Sequence, residues 1–237
     1  MKILALDTSS QAASCALLED ERPVGTFYID AKLTHSQTIL PMVENVLAAC
    51  QQKLDDVDLF AVSNGPGSFT GLRIGTAAVK GMAHALGKSC IGLSTLEGLA
   101  YNMFGHSGIV CAVMDARCNQ VYTALFDLDD NMRRITEDMA IPLTELQEIL
   151  KKQEKTVVLV GDGAVLCYNS IMGQDGCQVK LAPAHLRLQN AYSVGLAALN
   201  HHLQEAAPAG ELQPSYLRLP QAQRELLKKQ EISKEQI

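Results

Sequence analysis

Two aspartates close short apolar runs in this chain: Asp7 after Ile3–Leu6, and Asp115 after Ile109–Met114. Hydroxyl residues follow the first, as Asp7-Thr8-Ser9-Ser10. A carboxylate at a strand end can hold Mg²⁺ through water, with neighbouring hydroxyls for phosphate. The same residue types also make an ordinary polar hairpin turn, so both readings stay open. A third turn, Gly161-Asp162-Gly163, ends the apolar run Val157–Val160. The candidate cleft-facing or nucleotide-facing set is therefore Asp7, Thr8, Ser9, Asp115, Gly161, Asp162 and Gly163. No metal site is expected beside it. His35 opens a predicted helix, but a helix-borne metal pair needs a second histidine four residues on, and position 39 is Ile. His201 and His202 are adjacent and point different ways on a helix. No catalytic nucleophile stands out, since Ser68 lacks a Gly-x-Ser-x-Gly frame.

The stretch from Asn64 to Gly87 must position much of this. It runs Asn-Gly-Pro-Gly-Ser-Phe-Thr-Gly-Leu-Arg-Ile-Gly and then Thr-Ala-Ala-Val-Lys-Gly-Met-Ala-His-Ala-Leu-Gly, directly after the apolar run Leu59–Val62. The pattern predicts strand, glycine-rich loop, then a helix over 70–86 capped by Ser68 or Thr70. Gly71, Gly75 and Gly81 lie inside that helix, each costing about 0.8–1 kcal/mol relative to alanine. Something must offset that cost. Gly71, Gly75 and Ala78 make one smooth face, and Leu72, Thr76, Val79, Ala83 and Leu86 a second. The smooth face packs either within its own domain or on another molecule. A phosphate-binding loop is the weaker alternative, because no Gly-Lys-Ser/Thr closes the loop.

Composition narrows the classes. The chain has 237 residues, 47% of them hydrophobic, enough for two lobes with real cores. A net charge of -6, 5% aromatic residues and no Trp oppose a stand-alone nucleic-acid binder. The basic pairs Arg133-Arg134, Lys151-Lys152 and Lys228-Lys229 are short and read as solvated charges. Seven cysteines without a Cys-x-x-Cys pair suit reduced thiols in a cytoplasmic protein. The first residues are too short an apolar run for a signal peptide or membrane span.

In order, the elements read β-β-β-α-β-α-β-α, and the order then repeats. The first copy has strands at 3–6, 14–18 and 23–29, a helix over 34–51 and the glycine-rich unit, then strand 89–93 and helix 96–103. The second begins at strand 109–114, with its third strand over 132–140, and has a last helix at 224–230. Three antiparallel strands extended by parallel ones define a ribonuclease H-like lobe. Two in tandem give an α/β fold of the actin-like ATPase (ASKHA) architecture, with lobes expected at 1–104 and 105–237 and a C-terminal tail able to return to the first.

Ile3-Leu4-Ala5-Leu6-Asp7-Thr8-Ser9, His35-Ser36, Gly65-Pro66-Gly67-Ser68-Phe69-Thr70-Gly71-Leu72-Arg73, Met114-Asp115-Ala116-Arg117, Gly161-Asp162-Gly163 and Pro214-Ser215-Tyr216-Leu217-Arg218 together resemble the bacterial TsaB (YeaZ) proteins. The resemblance implies a non-catalytic partner of TsaD, an enzyme of related fold. With TsaE and threonylcarbamoyl adenylate, that complex builds threonylcarbamoyladenosine at position 37 of tRNAs reading codons that begin with A. TsaD carries a His-x-x-x-His metal pair where this chain has only His35. The implied partner face uses helices 34–51 and 70–86, through His35, Ile39, Val43, Gly71, Ile74, Gly75, Ala78 and Met82. TsaD and a second copy of the chain would compete for it. The resemblance also implies that this chain binds no cofactor tightly, that ATP/ADP and a metal sit on partner subunits, and that tRNA is met only through the complex. An independent actin-like ATPase or a metallopeptidase-like enzyme is the alternative.

Overall fold

The structure, a computed structural model, describes residues 1–129, 132–172 and 178–219. The first sheet is built on β1 (Lys2–Asp7), β2 (Ala13–Glu19) and β3 (Arg22–Ile29), a meander of antiparallel strands. After α1 (His35–Ala49), β4 (Leu59–Gly65) adds parallel to β1; after α2 (Phe69–Leu86), β5 (Ser89–Ser94) adds parallel to β4. Helix α3 (Thr95–Tyr101) ends this unit. The second sheet repeats it with β6 (Ile109–Asp115), β7 (Gln120–Asp127), β8 (Arg133–Arg134), β9 (Met139–Pro142), α4 (Leu143–Lys151), β10 (Val157–Val160), α5 (Ala164–Ile171), β11 (Val179–Leu181) and α6 (Ala191–Glu205). β10 pairs parallel with β6 and β11 with β10, as β4 and β5 do in the first unit. The doubled ribonuclease H-like order read from sequence is the observed one.

β1 is apolar on both sides because both sides are covered. Leu4 and Leu6 enter one core with α1 and α2, while Ile3 and Ala5 enter another with α6. Helix α2 is capped at its start by Ser68, whose Oγ accepts from Gly71 N at 3.3 Å, and stopped by Gly87 in the left-handed region at φ 61.

Two expectations are corrected. The third strand of the second lobe is not continuous over 132–140 but split into β8 and β9, both paired to β7. Between them Thr136 Oγ1 accepts from Leu125 N, taking the donor that a continuous ladder would need. Strands on either side of 104/105 fall in separate sheets, apart from one short return strand, but the covering helices do not follow that division. Leu96, Leu99 and Ala100 of α3 pack on Val110, Ala112 and Phe126 of the second sheet. Ala191, Val194 and Ala198 of α6 pack on the first sheet, and β12 (Ala207–Pro208) extends that sheet beside β5. Each unit's last helix thus covers the other unit's sheet, and α3 and α6 pack on each other at the seam. Element order does not say which sheet a helix covers; the apolar faces do.

That exchange explains Arg134, which is not a solvated charge. It bonds Glu97 of α3 at 3.0 Å and Asp138 at 2.5 Å, three-quarters buried. Among the described residues, no helix is long and apolar enough to cross a membrane. The helix expected at 224–230, with Lys228-Lys229, lies outside the described residues.

Candidate functional site

The two units leave a cavity of about 670 Å³ between them. Ser9, Ser10, Gln11 and Asp30 line it on one side, and Asp115, Arg117, Tyr122 and Asp162 on the other. The seven candidate cleft residues divide unevenly around it.

Asp7 is 2% exposed and does not line the cavity. Its Oδ1 accepts from Ser9 N at 2.9 Å and Ser9 Oγ at 2.7 Å, and its Oδ2 from Ser63 Oγ at 2.6 Å. Burial raises its carboxyl above the usual range, opposed by these donors. Thr8 is fully buried and donates to the Gly71 carbonyl at 2.8 Å. Of the three candidates in the first turn, Ser9 alone lines the cavity, and its own hydroxyl is given to Asp7. Asp7 and Thr8 therefore hold the turn together and do not face the cleft. A carboxylate satisfied by three protein donors has little left for a hydrated cation.

Asp115 does line the cavity. Its oxygens accept from Arg117 N at 2.8 Å and Arg117 Nη1 at 3.1 Å. Asp162 is exposed at the cavity, accepts weakly from Asp115 N at 3.4 Å, and partial desolvation by the turn pushes its carboxyl up from 3.8 to about 6. A Cβ at Gly161 would sit 2.1 Å from the Val113 carbonyl, and one at Gly163 2.9 Å from Asp115 N. These two glycines let β10's exit pack against β6, a structural requirement of the turn. Two carboxylates, one ion-paired and one disfavoured as an anion, do not fit a magnesium–nucleotide site. Among the described residues, no group of three or more His, Cys, Asp or Glu is placed to hold a metal.

The helix face is the larger revision. A Cβ at Gly71 would stand 2.0 Å from the Thr8 carbonyl, and one at Gly75 2.3 Å from Thr8 Oγ1. Gly71 and Gly75 are buried against their own lobe's first turn, not presented outward. Their absence of side chain is what allows α2 to lie on that turn. Ile39 and Val43 of α1 are likewise core residues, 1% and 4% exposed. His35 packs over Gly71 and donates from Nε2 to the Ser10 carbonyl at 2.7 Å. Ile39 fills core space where a second ligand would have to stand.

What α2 shows outward is a different stripe. Arg73, Ala77 and Gly81 are exposed, with Ile74, Ala78 and Met82 half-buried beside them. Nothing lies within 4 Å of a Cβ at Gly81. So Ile74, Ala78 and Met82 of the expected face are partly open to solvent while packing on the core, and Gly71, Gly75, Ile39 and Val43 are buried. Ala77 and Gly81 lie outside the expected face, although they follow from the buried set: positions 72, 76, 79 and 83 inward leave 73, 77 and 81 outward. Ser63, which holds Asp7, carried no signal before the fold was known.

An actin-like fold of two ribonuclease H-like units, matched over residues 25–226 by the family model described as TsaD: tRNA N6-adenosine threonylcarbamoyltransferase, defines the class. A solved structure titled YeaZ from Pseudomonas aeruginosa superposes with a TM-score of 0.75 at 29% identity, covering 91% of this chain and 99% of that one. The ethanolamine utilization protein EutJ from Carboxydothermus hydrogenoformans shares the fold alone, at TM-score 0.54 and 12% identity over 83% of this chain and 90% of that one. The tRNA threonylcarbamoyladenosine biosynthesis protein TsaB of Bacillus subtilis is 31% identical over 97% of this chain and 100% of its own length. The chain belongs to the TsaB family of tRNA threonylcarbamoyladenosine biosynthesis proteins.

Proposed function

We propose that this chain is the non-catalytic, activating subunit of a tRNA threonylcarbamoyl transferase, and that it acts by pairing with a TsaD-family enzyme through the outer side of α2. The outward stripe of Ile74, Ala77, Ala78, Gly81 and Met82 carries this reading: it is apolar over two turns and bordered by Arg73. A smooth stripe lets a second helix approach closely, and burying a few hundred Å² of apolar surface supplies several kcal/mol at ~25 cal/mol/Å² before association costs. The family match to TsaD supports a partner of sister fold, and sister folds can meet face to face as two copies of one chain do. A homodimer through the same stripe would compete with the enzyme. Ile39, buried where a metal pair needs histidine, supports a chain without the transfer chemistry. ATP/ADP, the metal, TsaE and tRNA are then met through the assembled complex.

The test is co-purification with the TsaD-family enzyme, followed by a tRNA modification assay with and without this chain. Loss of modification without it supports the reading; full modification without it removes the reading. The alternative, an independent actin-like ATPase, is opposed by the surroundings of Asp115 and Asp162. Calorimetry of the isolated chain with ATP and Mg²⁺ separates the two, because tight stoichiometric binding belongs only to the second.

A further inference from the structure

The Pro214-Ser215-Tyr216-Leu217-Arg218 motif has no part in the function proposed above, yet it is tied down at both ends. At the first end, Ser215 N donates to the Asn64 carbonyl at 2.7 Å, and Asn64 Nδ2 donates to the Gln213 carbonyl at 3.2 Å. The approach is so close that a Cβ at Gly65 would fall 2.0 Å from the Ser215 carbonyl oxygen. Tyr216 stacks on Phe69 with ring centroids 4.3 Å apart. Arg73 lies over the Phe69 ring at 3.9 Å and donates from Nε to the Tyr216 hydroxyl at 3.1 Å. Phe69, Tyr216 and Arg73 therefore make one clip on the first two turns of α2. At the other end, Arg218 Nη1 donates to the Ala116 carbonyl at 2.8 Å, in the turn after β6 of the second sheet. Between these ends the segment lines the cavity that separates the two units.

We propose that residues 213–219 are an inter-lobe strap, gripped at α2 by the Phe69–Tyr216–Arg73 clip, which transmits the state of α2's outer side to the 115–120 turn of the second lobe. The turn is built to register such a pull. Its residues Arg117, Cys118 and Asn119 all sit at positive φ, between 53 and 64, and its short ladder is closed by Ala116 N to the Gln120 carbonyl and Gln120 N to the Arg117 carbonyl. Arg73 is exposed on α2, so whatever draws its guanidinium away from Tyr216 loosens the strap at the far end. This does not depend on which molecule docks on α2.

Hydrogen–deuterium exchange on the isolated full chain tests it, whatever the outcome of partner binding. Tyr216→Ala and Arg73→Ala should each speed exchange about tenfold or more at Ser215 and also at Ala116 and Gln120, while the amides of β4 and β6 stay within about twofold. Arg218→Ala should speed the turn and leave Ser215 protected. Faster exchange confined to 213–219 would mean the segment is merely draped across the cavity, and the proposal fails. If β4 and β6 also speed up in Tyr216→Ala, Tyr216→Phe decides, since it keeps the ring and removes only the hydroxyl. A rise of about threefold at both ends supports the strap, and no rise at the turn overturns it.

Discussion

Asp7 and Asp115 stand at the same place in two copies of one lobe, yet they have become different residues. Asp7 is sealed by Ser9 and Ser63 beneath a long helix whose glycines let it lie directly on the turn. Asp115 is open to the cavity and paired with an exposed arginine, beside a counterpart helix, α5, of only 8 residues. One duplicated turn has been made into a support for α2 and the other into a rim of the cavity. What looked like a two-carboxylate site in the sequence is a foundation in one lobe and a surface in the other. Conserved topology does not carry chemistry with it; the donors around each carboxylate decide.

The sharpest way to break this comparison is to disturb the foundation. Gly71→Ala sets a Cβ 2.0 Å from the Thr8 carbonyl, where backbone must move. It should cost about 3 kcal/mol in urea denaturation. A loss below about 0.5 kcal/mol would mean α2 does not rest on the turn.

The second way addresses the cavity-side carboxylate. Asp162 has a folded value of about 6 against an ordinary 3.8, so the folded state holds the extra proton between those values. Its favourable contribution is complete below about pH 4 and lost as pH rises through about 6. Asp162→Asn should therefore gain stability over wild type as pH rises from 4 to 7, by about 1 kcal/mol, because Asp162 is exposed to water that screens the penalty. A wild type and variant that run parallel across that range would show the carboxylate is not disfavoured by burial. Ser63→Ala, which removes the donor to Asp7 Oδ2 at 2.6 Å, should cost about 1–3 kcal/mol, read by the same denaturation.

The smallest effect has the opposite sign. Gly81→Ala, on the outer side of α2 with open space around it, should gain about 0.8 kcal/mol from helix propensity. The contrast with Gly71→Ala separates the two sides of one helix: same substitution, opposite outcome.

Much of this was legible beforehand, and the failures share one cause. The doubled strand order, the Ser68 cap and the inward residues Leu72, Thr76, Val79 and Ala83 follow from period and punctuation, which are local. Spacing aligns Gly71 and Gly75 with Ala78 on one face, showing that small residues align but not what they align against. The neighbour is Thr8, more than sixty residues away in sequence. The resemblance assigns the whole helix, Ile39 and Val43 included, to a partner surface, whereas burial divides it by face. The exchange of α3 and α6 between sheets needed tertiary packing to be seen. In the cleft, the sequence showed three carboxylates but not that Ser63 and Arg117 would occupy two of them.

The central claim is that the outer stripe of α2 is where a TsaD-family enzyme docks. Ala77→Glu puts a charge in the middle of that stripe without touching the core, so stability should stay within about 0.5 kcal/mol of wild type. Sedimentation of the mixed proteins is the direct measurement. Wild type should form a 1:1 complex, and Ala77→Glu should lose at least about tenfold in affinity, with tRNA modification falling in step. A folded Ala77→Glu chain that binds the enzyme as tightly as wild type would contradict the account.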